Sequence, residues 1–301
     1  MGLVGTQLVS ARGPGTFPRA HVDRPHRTGN GPGMTAPQHD DVTLTFGGTA
    51  TTLLRLGPFT LLTDPNFLHR GQWAHLGYGL RSRRLTQPAL LPAQLPALDA
   101  VLLSHMHGDH WDRVATRSLP KATPVITTPE AAGCLTKRGF TGTADLRPWQ
   151  THELTRGDAV LRVTSVPGVH GPGPLARLLP QVMGSVLELV RGGAVTWRGY
   201  VTGDSLFRPV LGEVLQRCGP LDALVPHLGG TKIAGITVTM DARQGTDLVE
   251  LLTPPVTVPV HYDDYGLFTS PIGDFVAEVA ARRAPGEIRV VGRGETVSLR
   301  A

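Results

Sequence analysis

The nine residues Ser104–Asp112 constrain this chain more than any other part of its sequence. They read Ser-His-Met-His-Gly-Asp-His-Trp-Asp and follow the apolar run Ala100–Leu103, which is short and typical of a buried strand. The four polar side chains of interest in this loop are His105, His107, Asp109 and His110. Imidazole nitrogens and carboxylate oxygens are the ligands that zinc and similar divalent metals prefer. Side chains two apart can converge on one ion, while the adjacent Asp109 and His110 can hold a second ion, so we predict a metal site rather than a polar surface loop.

The run His-Met-His-Gly-Asp-His resembles the H-x-H-x-D-H signature of the metallo-β-lactamase-fold hydrolases, a family of two-metal enzymes. The run Leu-Thr-Asp-Pro, which ends at Pro65, resembles a turn in one branch of that family. This branch includes the ascorbate-phosphate lactonases and the N-acyl-phosphatidylethanolamine phospholipase D enzymes. The resemblance covers about residues 42–270. It implies an α/β protein with an αββα sandwich, in which two mixed sheets lie face to face and the helices lie outside.

The resemblance also implies three further ligands, each just past the end of a predicted strand. His170 follows the strand Ala159–Val166 between glycines, Asp204 follows Val195–Val201, and His261 follows Val256–Val260. Strand ends are where α/β folds place their sites. The implied first ion is held by His105, His107 and His170, and the second by Asp109, His110 and His261, with Asp204 bridging the two. The alternatives are an exposed loop histidine at position 170 and a helix-capping aspartate at position 204.

Two other residues near predicted strand ends have less certain roles. Asp64 precedes a proline, so it either starts a turn or accepts the free ring N–H of a ligand histidine, and we favour the second. His227 follows the strand Leu221–Val225, but the ligand positions of the family are filled without it. It could be catalytic, by binding substrate or by donating to a developing oxyanion, or it could cap the loop.

The remaining pattern agrees with α/β layering. Three apolar runs separated by glycine-containing turns predict an antiparallel meander, and they are Val42–Phe46, Thr51–Leu56 and Phe59–Thr63. Later strands alternate with helices. Residues 66–98 show little regular pattern, and their aromatic residues Phe67, Trp73 and Tyr78 either border a substrate cleft or pack at the edge of the core. The Pro- and Leu-rich residues 172–182 could form a second rim, and Tyr262 and Tyr265 are candidates for contacting substrate.

Composition excludes several classes of protein. The 301 residues include no run near the ~18 apolar residues of a membrane span, and the first thirty lack the apolar block of a secretory signal, so we expect a cytoplasmic protein. The two cysteines, Cys134 and Cys218, are far apart and indicate neither a disulfide framework nor a thiolate site. Residues 1–40 are dense in Gly, Pro, Arg and Thr and predict a disordered tail, in which Met34 could be the true start, before a hydrolase domain over residues 41–301.

The sequence therefore predicts a hydrolase in which two divalent metals share a hydroxide and cleave a phosphodiester, a lactone or another ester of a small molecule or a lipid head group. Zinc is the first choice of metal, with manganese or iron as alternatives. Nucleic acid is an unlikely partner despite a net charge of +5, because the arginines are scattered. The alternatives are an RNA- or DNA-processing nuclease, a redox di-iron protein and a non-catalytic metal-binding protein of the same fold. The sequence does not indicate an oligomeric state.

Overall fold

The computed structural model describes residues 41–77 and 79–301. In chain order, its strands are β1 (Val42–Gly48), β2 (Thr51–Leu56), β3 (Phe59–Thr63), β4 (Trp73–His75), β5 (Arg81–Arg83), β6 (Ala100–Leu102), β7 (Val125–Thr127), β8 (Thr143–Asp145), β9 (Thr151–Arg156), β10 (Ala159–Pro167), β11 (Met183–Arg191), β12 (Ala194–Val201), β13 (Ala223–Val225), β14 (Lys232–Ile233), β15 (Ile236–Thr237), β16 (Val256–Thr257), β17 (Glu287–Ile288) and β18 (Thr296–Ser298). Its α-helices are α1 (Arg113–Ser118), α2 (Pro129–Lys137), α3 (Glu213–Cys218), α4 (Ala242–Leu252) and α5 (Ile272–Arg282).

Two seven-stranded mixed sheets form the body of the fold. The first has the order β18-β1-β2-β3-β6-β7-β8, and the second has the order β17-β16-β13-β12-β11-β10-β9. In each sheet, antiparallel strands lead into parallel ones, beginning at the β3–β6 pair and the β12–β13 pair. The predicted αββα sandwich and the predicted meander of β1, β2 and β3 are confirmed.

Because side chains alternate along the central strands, the first sheet contributes to an apolar cluster on each of its two faces. In β3 and β6, Leu61, Ala100 and Leu102 belong to the cluster that joins the two sheets. Their immediate neighbours Leu62 and Val101 belong to a second cluster. Successive side chains of a strand point to opposite faces, so these strands are apolar on both faces.

Helices α1 and α2 cover that second cluster on the outside of the first sheet. Ala115 of α1 and Leu135 of α2 are fully buried in it, together with Trp111 and Phe140, whose rings pack edge to face. Both helices begin at a side-chain cap, because Asp112 accepts from the backbone N–H of Ala115 and Thr128 from that of Ala131.

The strands that carry the candidate site all end at one edge of the sandwich. β6 runs parallel to β3, and β13 and β16 run parallel to β12. β10 points the same way as β12, because both are antiparallel to β11. The loops after these strands therefore meet at a common edge.

The regions between the main strands are more ordered than their composition indicates. Residues 66–98, predicted without regular structure, contain the β4–β5 hairpin, and the strands β8, β9 and β14–β15 were not anticipated. These strands are short or partly exposed, so they lack a clear apolar alternation. The predicted tail over residues 1–40 and the boundary at residue 40 lie outside the described residues.

A buried ion pair joins segments that are distant in sequence. Arg84 and Asp264 have no exposed side-chain surface and meet at 3.2 Å between Nη2 and Oδ1. The same carboxylate accepts from the backbone N–H of Thr49 at 2.5 Å, from the Thr86 hydroxyl and from Arg293 Nη2 at 3.1 Å. Burial alone would raise the pKa of Asp264, but the charges of Arg84 and Arg293 lower it below its ordinary value. We call Arg84, Asp264 and Arg293 the Asp264 network.

The Asp264 network supports a strained turn next to the candidate site. Thr49 and His261 both have left-handed backbone conformations, with φ of 54° and 65°, which side chains with a Cβ rarely adopt. The Thr49 carbonyl accepts from the backbone N–H of His261 at 2.7 Å, while the Thr49 N–H is held by Asp264. Such strain persists only where surrounding contacts over-determine it.

None of the helices in the described ranges is long and apolar enough to cross a membrane.

We predict that Asp264→Asn lowers the free energy of unfolding by about 3–5 kcal/mol, because it leaves Arg84 buried without its counter-charge. Urea denaturation at pH 7 measures this change. Since the pKa of Asp264 is lowered by folding, its contribution is present above the unfolded pKa of about 3.9 and lost as the pH falls. The difference between the variant and the parent chain should therefore shrink below about pH 4.

Asp263→Asn is the matched control. Asp263 contacts the same Arg293, but its side chain is 42 % exposed. An exposed pair contributes about 0–1 kcal/mol, so this variant should unfold almost like the parent chain. Equal effects of the two substitutions would show that the Asp264 network does not stabilise the fold in this way.

Candidate metal centre

Three histidines, His105, His107 and His170, form a first group at the shared edge of the sheets. One ring nitrogen of each lies within 4.8 Å of those of the others, and all three side chains are buried. His105 Nε2 lies 3.0 Å from His107 Nδ1. His170 comes from the turn after β10, and its Nδ1 donates to the Val238 carbonyl at 2.9 Å, which leaves Nε2 for the group.

A second group contains Asp109, His110, Asp204 and His261, and its ligand atoms also lie within 4.8 Å of one another. Asp204 Oδ2 is 3.3 Å from His110 Nε2 and 3.6 Å from His261 Nε2. Asp109 Oδ2 is 3.3 Å from His261 Nε2. The other nitrogen of His261 donates to the Leu228 carbonyl at 3.1 Å, so its ring orientation is fixed from outside the group.

The structure thus brings together all seven residues that the sequence singled out as ligands. Four loops supply them, and one loop serves both groups, since His107 belongs to the first group and Asp109, two residues later, belongs to the second. Asp204 is the residue for which the sequence left helix capping open. Helix α3 begins at Glu213 and the 3₁₀ turn before it begins at Pro209, so Asp204 caps neither.

Buried polar atoms that make no hydrogen bond indicate whether the two groups fit a cation. His107 Nε2, Asp109 Oδ1, His110 Nε2 and Asp204 Oδ1 are buried, and the described residues provide none of them with a hydrogen bond. A buried polar atom without a partner costs free energy comparable to a lost hydrogen bond or more. All four atoms belong to predicted ligands, so the donor set fits borderline divalent cations.

The pKa values indicate a different charge state in each group. Burial lowers the pKa of His105, His107 and His170, to about 4 for His107, so these imidazoles are neutral and have a free lone pair at neutral pH. Burial also opposes the charged form of His110, but Asp204, Asp109 and Asp64 raise its pKa well above the ordinary value. The carboxylates of the second group therefore stabilise a positive charge in the site. A bound cation would provide such a charge.

Asp64 lies beneath the groups, between two histidines. Its Oδ2 is 3.2 Å from His110 Nδ1 and 3.3 Å from His227 Nε2, and its Oδ1 accepts from the backbone N–H of Ser104 at 2.7 Å. Burial alone would raise the pKa of Asp64, but His110 and His227 lower it to about 2. The ionised carboxylate orients His110 with Nε2 toward the second group, which is the geometry expected of a tautomer-fixing partner.

His227 is fully buried and both of its ring nitrogens face protein groups. Nε2 lies near Asp64, Nδ1 lies 3.4 Å from the Thr202 hydroxyl, and the ring stacks 5.9 Å from that of His110. This placement does not favour direct contact with substrate or with an oxyanion. It favours a positioning role, in which His227 holds Asp64 and Asp64 holds His110.

The aromatic residues predicted to border the cleft are mostly buried. Phe67 is fully buried, and Tyr265 is buried with its hydroxyl donating to Asn66 Oδ1 at 3.1 Å, so neither faces a substrate. Tyr262 lies in the core between the sheets. Trp73 is 40 % exposed and packs against the guanidinium groups of Arg81 and Arg83. Tyr78 lies outside the described residues.

Several groups that hold the candidate ligands in place were not predicted from the sequence. The Val238 and Leu228 carbonyls orient His170 and His261, and the Thr239 hydroxyl donates to Asp204 Oδ2 at 3.3 Å. Phe268 packs its ring 4.4 Å from that of His261. Backbone carbonyls carry no sequence signature, so only the fold reveals these contacts.

We predict that Asp64→Asn weakens divalent-cation affinity by about 10–100-fold, because His110 loses the carboxylate that orients it. Isothermal titration of the metal-free chain with zinc measures the affinity and the number of sites. His227→Gln should give a smaller effect in the same direction.

Asp112→Asn provides a control at another buried aspartate. Asp112 accepts from three backbone N–H groups, those of Phe67, Leu68 and Ala115, and from no candidate ligand. It should reduce stability while leaving the zinc affinity unchanged. Unchanged zinc affinity in Asp64→Asn would show that Asp64 does not orient His110 for metal binding.

Comparison with known proteins adds independent information. The family model described as "Beta-lactamase superfamily domain" matches residues 60–262, a range that includes all seven candidate ligands. A UPF0173 metal-dependent hydrolase of Carboxydothermus hydrogenoformans is 29 % identical over 223 residues, which is 71 % of this chain and 87 % of the relative.

Solved structures share the fold. An isothiocyanate hydrolase from Delia radicum gut bacteria superposes with a TM-score of 0.73 at 22 % identity, over 86 % of this chain and 100 % of the other. A possible metal-dependent hydrolase from Veillonella parvula gives 0.72 at 21 % identity, over 86 % and 99 %. The buried ligand groups, the matching family model and the named relatives agree, and the chain belongs to the beta-lactamase superfamily as a metal-dependent hydrolase.

Proposed function

We propose that this chain hydrolyses a phosphodiester, a lactone or another ester of a small molecule or a lipid head group, using two divalent cations. One observation carries the proposal: seven buried side chains form two adjacent groups, and four of their polar atoms make no hydrogen bond within the described residues. A site with a single cation would need only one of these groups.

His105, His107 and His170 would hold one cation, and Asp109, His110 and His261 would hold the other, with Asp204 between them. Zinc is the cation we propose, and this nitrogen and oxygen set would also accept manganese or iron. Two such cations would supply a shared hydroxide nucleophile near neutral pH and would polarise the bond to be cleaved.

The chain's own residues have separate tasks in this proposal. Asp109 holds His261 through Oδ2, while its Oδ1 has no partner and is available to orient the attacking water. Asp204 is the candidate bridge, because its Oδ2 lies 3.3 Å from His110 Nε2 in the second group, while its buried Oδ1 makes no hydrogen bond within the described residues and is available for the other cation. The Ser104 hydroxyl lies 3.0 Å from His105 Nδ1, but it donates to Asp64 Oδ1 at 3.0 Å and its histidine neighbour is a proposed ligand, so we assign the nucleophile to water.

Two resemblances guide the choice of substrates to test. The Thr-Asp-Pro turn at Asp64 supports phosphodiesters and lactones through the branch that it resembles. The isothiocyanate hydrolase with the same fold adds isothiocyanates to the compounds that should be tested.

The nuclease alternative has one specific observation in its favour. A cavity of about 420 Å³ behind the metal loop is lined by Arg113, Arg117, Arg138 and His75. The lining also contains one carboxylate, that of Asp112, which is buried and accepts from backbone N–H groups. The three arginines therefore outnumber the acidic groups of the lining, and the cavity favours anions. Its described lining contains no candidate metal ligand. An anion bound in this cavity would therefore lie outside both ligand groups.

A turnover screen of the zinc-loaded chain tests the proposal. The panel contains a phosphodiester, a lactone, a simple ester, an aryl isothiocyanate and a single-stranded RNA oligonucleotide. We expect turnover of at least one of the small esters and none of the RNA. Cleavage of the RNA alone would instead support the nuclease.

We predict that Asp109→Ala lowers kcat by at least about 100-fold on the substrate found, because the group that orients water is lost. Asp158→Ala is the control, since Asp158 is 78 % exposed in its pairing with Arg191 and lies in the β9–β10 turn. Undiminished turnover in Asp109→Ala would refute the assigned role of Asp109.

A further inference from the structure

A second cavity, of about 570 Å³, lies beside the first group. Its walls come from the turn Ser165–His170, the segment Pro180–Met183, the residues Leu146–Pro148, and Ala176. Small-molecule sites in proteins have volumes of about 300–1,000 Å³ and are lined mainly by apolar side chains. We call this space the His170 cavity.

The lining of the His170 cavity is predominantly apolar. It includes Leu146, Val166, Val182 and Met183 together with several prolines. Apart from His170, the described lining residues include one charged side chain, Arg147, which is exposed. The cavity behind the metal loop is lined by three arginines, and another on the outer surface by Glu188, Arg198 and Arg217. The His170 cavity is therefore the one suited to an uncharged apolar group.

The same turn forms the wall of the cavity and part of the metal centre. His170 belongs to the first group and to the cavity lining, whereas the linings of the two charged cavities contain no candidate ligand. The turn is fixed on both sides: the Gly168 N–H donates to the Val182 carbonyl at 3.2 Å, and the Val169 N–H donates to the Ser205 hydroxyl at 2.9 Å. An added Cβ at Gly168 would lie 3.0 Å from Val182, so the two walls already pack closely there.

We propose that the His170 cavity binds an uncharged alkyl or aryl group of the substrate, with the bond to be hydrolysed at the edge formed by His170. This inference rests on the proposed hydrolysis and specifies its substrate class as amphipathic compounds with an apolar side group. The Pro- and Leu-rich segment, predicted as a rim, would then select substrates through Ala176 and Pro180–Met183.

Binding of primary alcohols from butanol to octanol tests the cavity without requiring turnover. Isothermal titration of the zinc-loaded chain should show affinity rising about fourfold for each methylene that enters the cavity. Ala176→Phe places a ring in this space and should abolish the rise, and Gln181→Trp should reduce it at the exposed rim. Asp158→Ala lies outside the cavity lining and should behave like the parent chain.

Turnover of p-nitrophenyl esters from acetate to octanoate tests the link to the reaction. We expect kcat/KM to rise with acyl length in the parent chain and in Asp158→Ala, and to become flat in Ala176→Phe. Alcohol affinity that does not depend on chain length, or a rise that survives in both Ala176→Phe and Gln181→Trp, would overturn the inference. Alcohol binding as expected without turnover of any compound in the panel would instead count against the proposed function.

Discussion

The burial of seven polar side chains, all of them candidate metal ligands, is the constraint on which the rest of this structure depends. Moving an imidazole or a carboxylate away from water is unfavourable unless it gains a partner of suitable charge. Asp109, Asp204 and His110 are buried, and each has an atom that the described protein groups do not satisfy. A cation in each group would supply that partner. The arrangement is therefore unfavourable in the metal-free protein and favourable in the metal-bound protein.

The fold meets this constraint by bringing strand ends to one edge and fixing the loops that follow them. Contacts of several kinds fix these loops. Asp64 orients His110, the Val238 carbonyl orients His170, and the Asp264 network supports the strained turn that carries His261. Because these contacts join segments from residue 49 to residue 293, the site forms only when both sheets are packed. Stability and metal binding are therefore coupled in this protein.

Much of the site could be predicted from the sequence because strand ends and ligand types leave a local signature. The motif at Ser104–Asp112 fixed the family, and its pattern then identified His170, Asp204 and His261 as ligand candidates. The Arg84–Asp264 pair could not be predicted, since its partners are 180 residues apart and each is an ordinary loop residue by composition. The burial of His227 and Tyr265 depends on how loops pack, which single-sequence periodicity does not contain. The same holds for short strands such as β8 and β14, which are defined by the strands they pair with and not by their own residue pattern.

The most direct test of the two-cation account is anomalous diffraction from crystals of the chain grown with zinc. The account predicts two peaks about 3.5–4 Å apart. One should lie within coordination distance of His105, His107 and His170, and the other within coordination distance of Asp109, His110 and His261. A single peak, or peaks that lie away from these side chains, would contradict it.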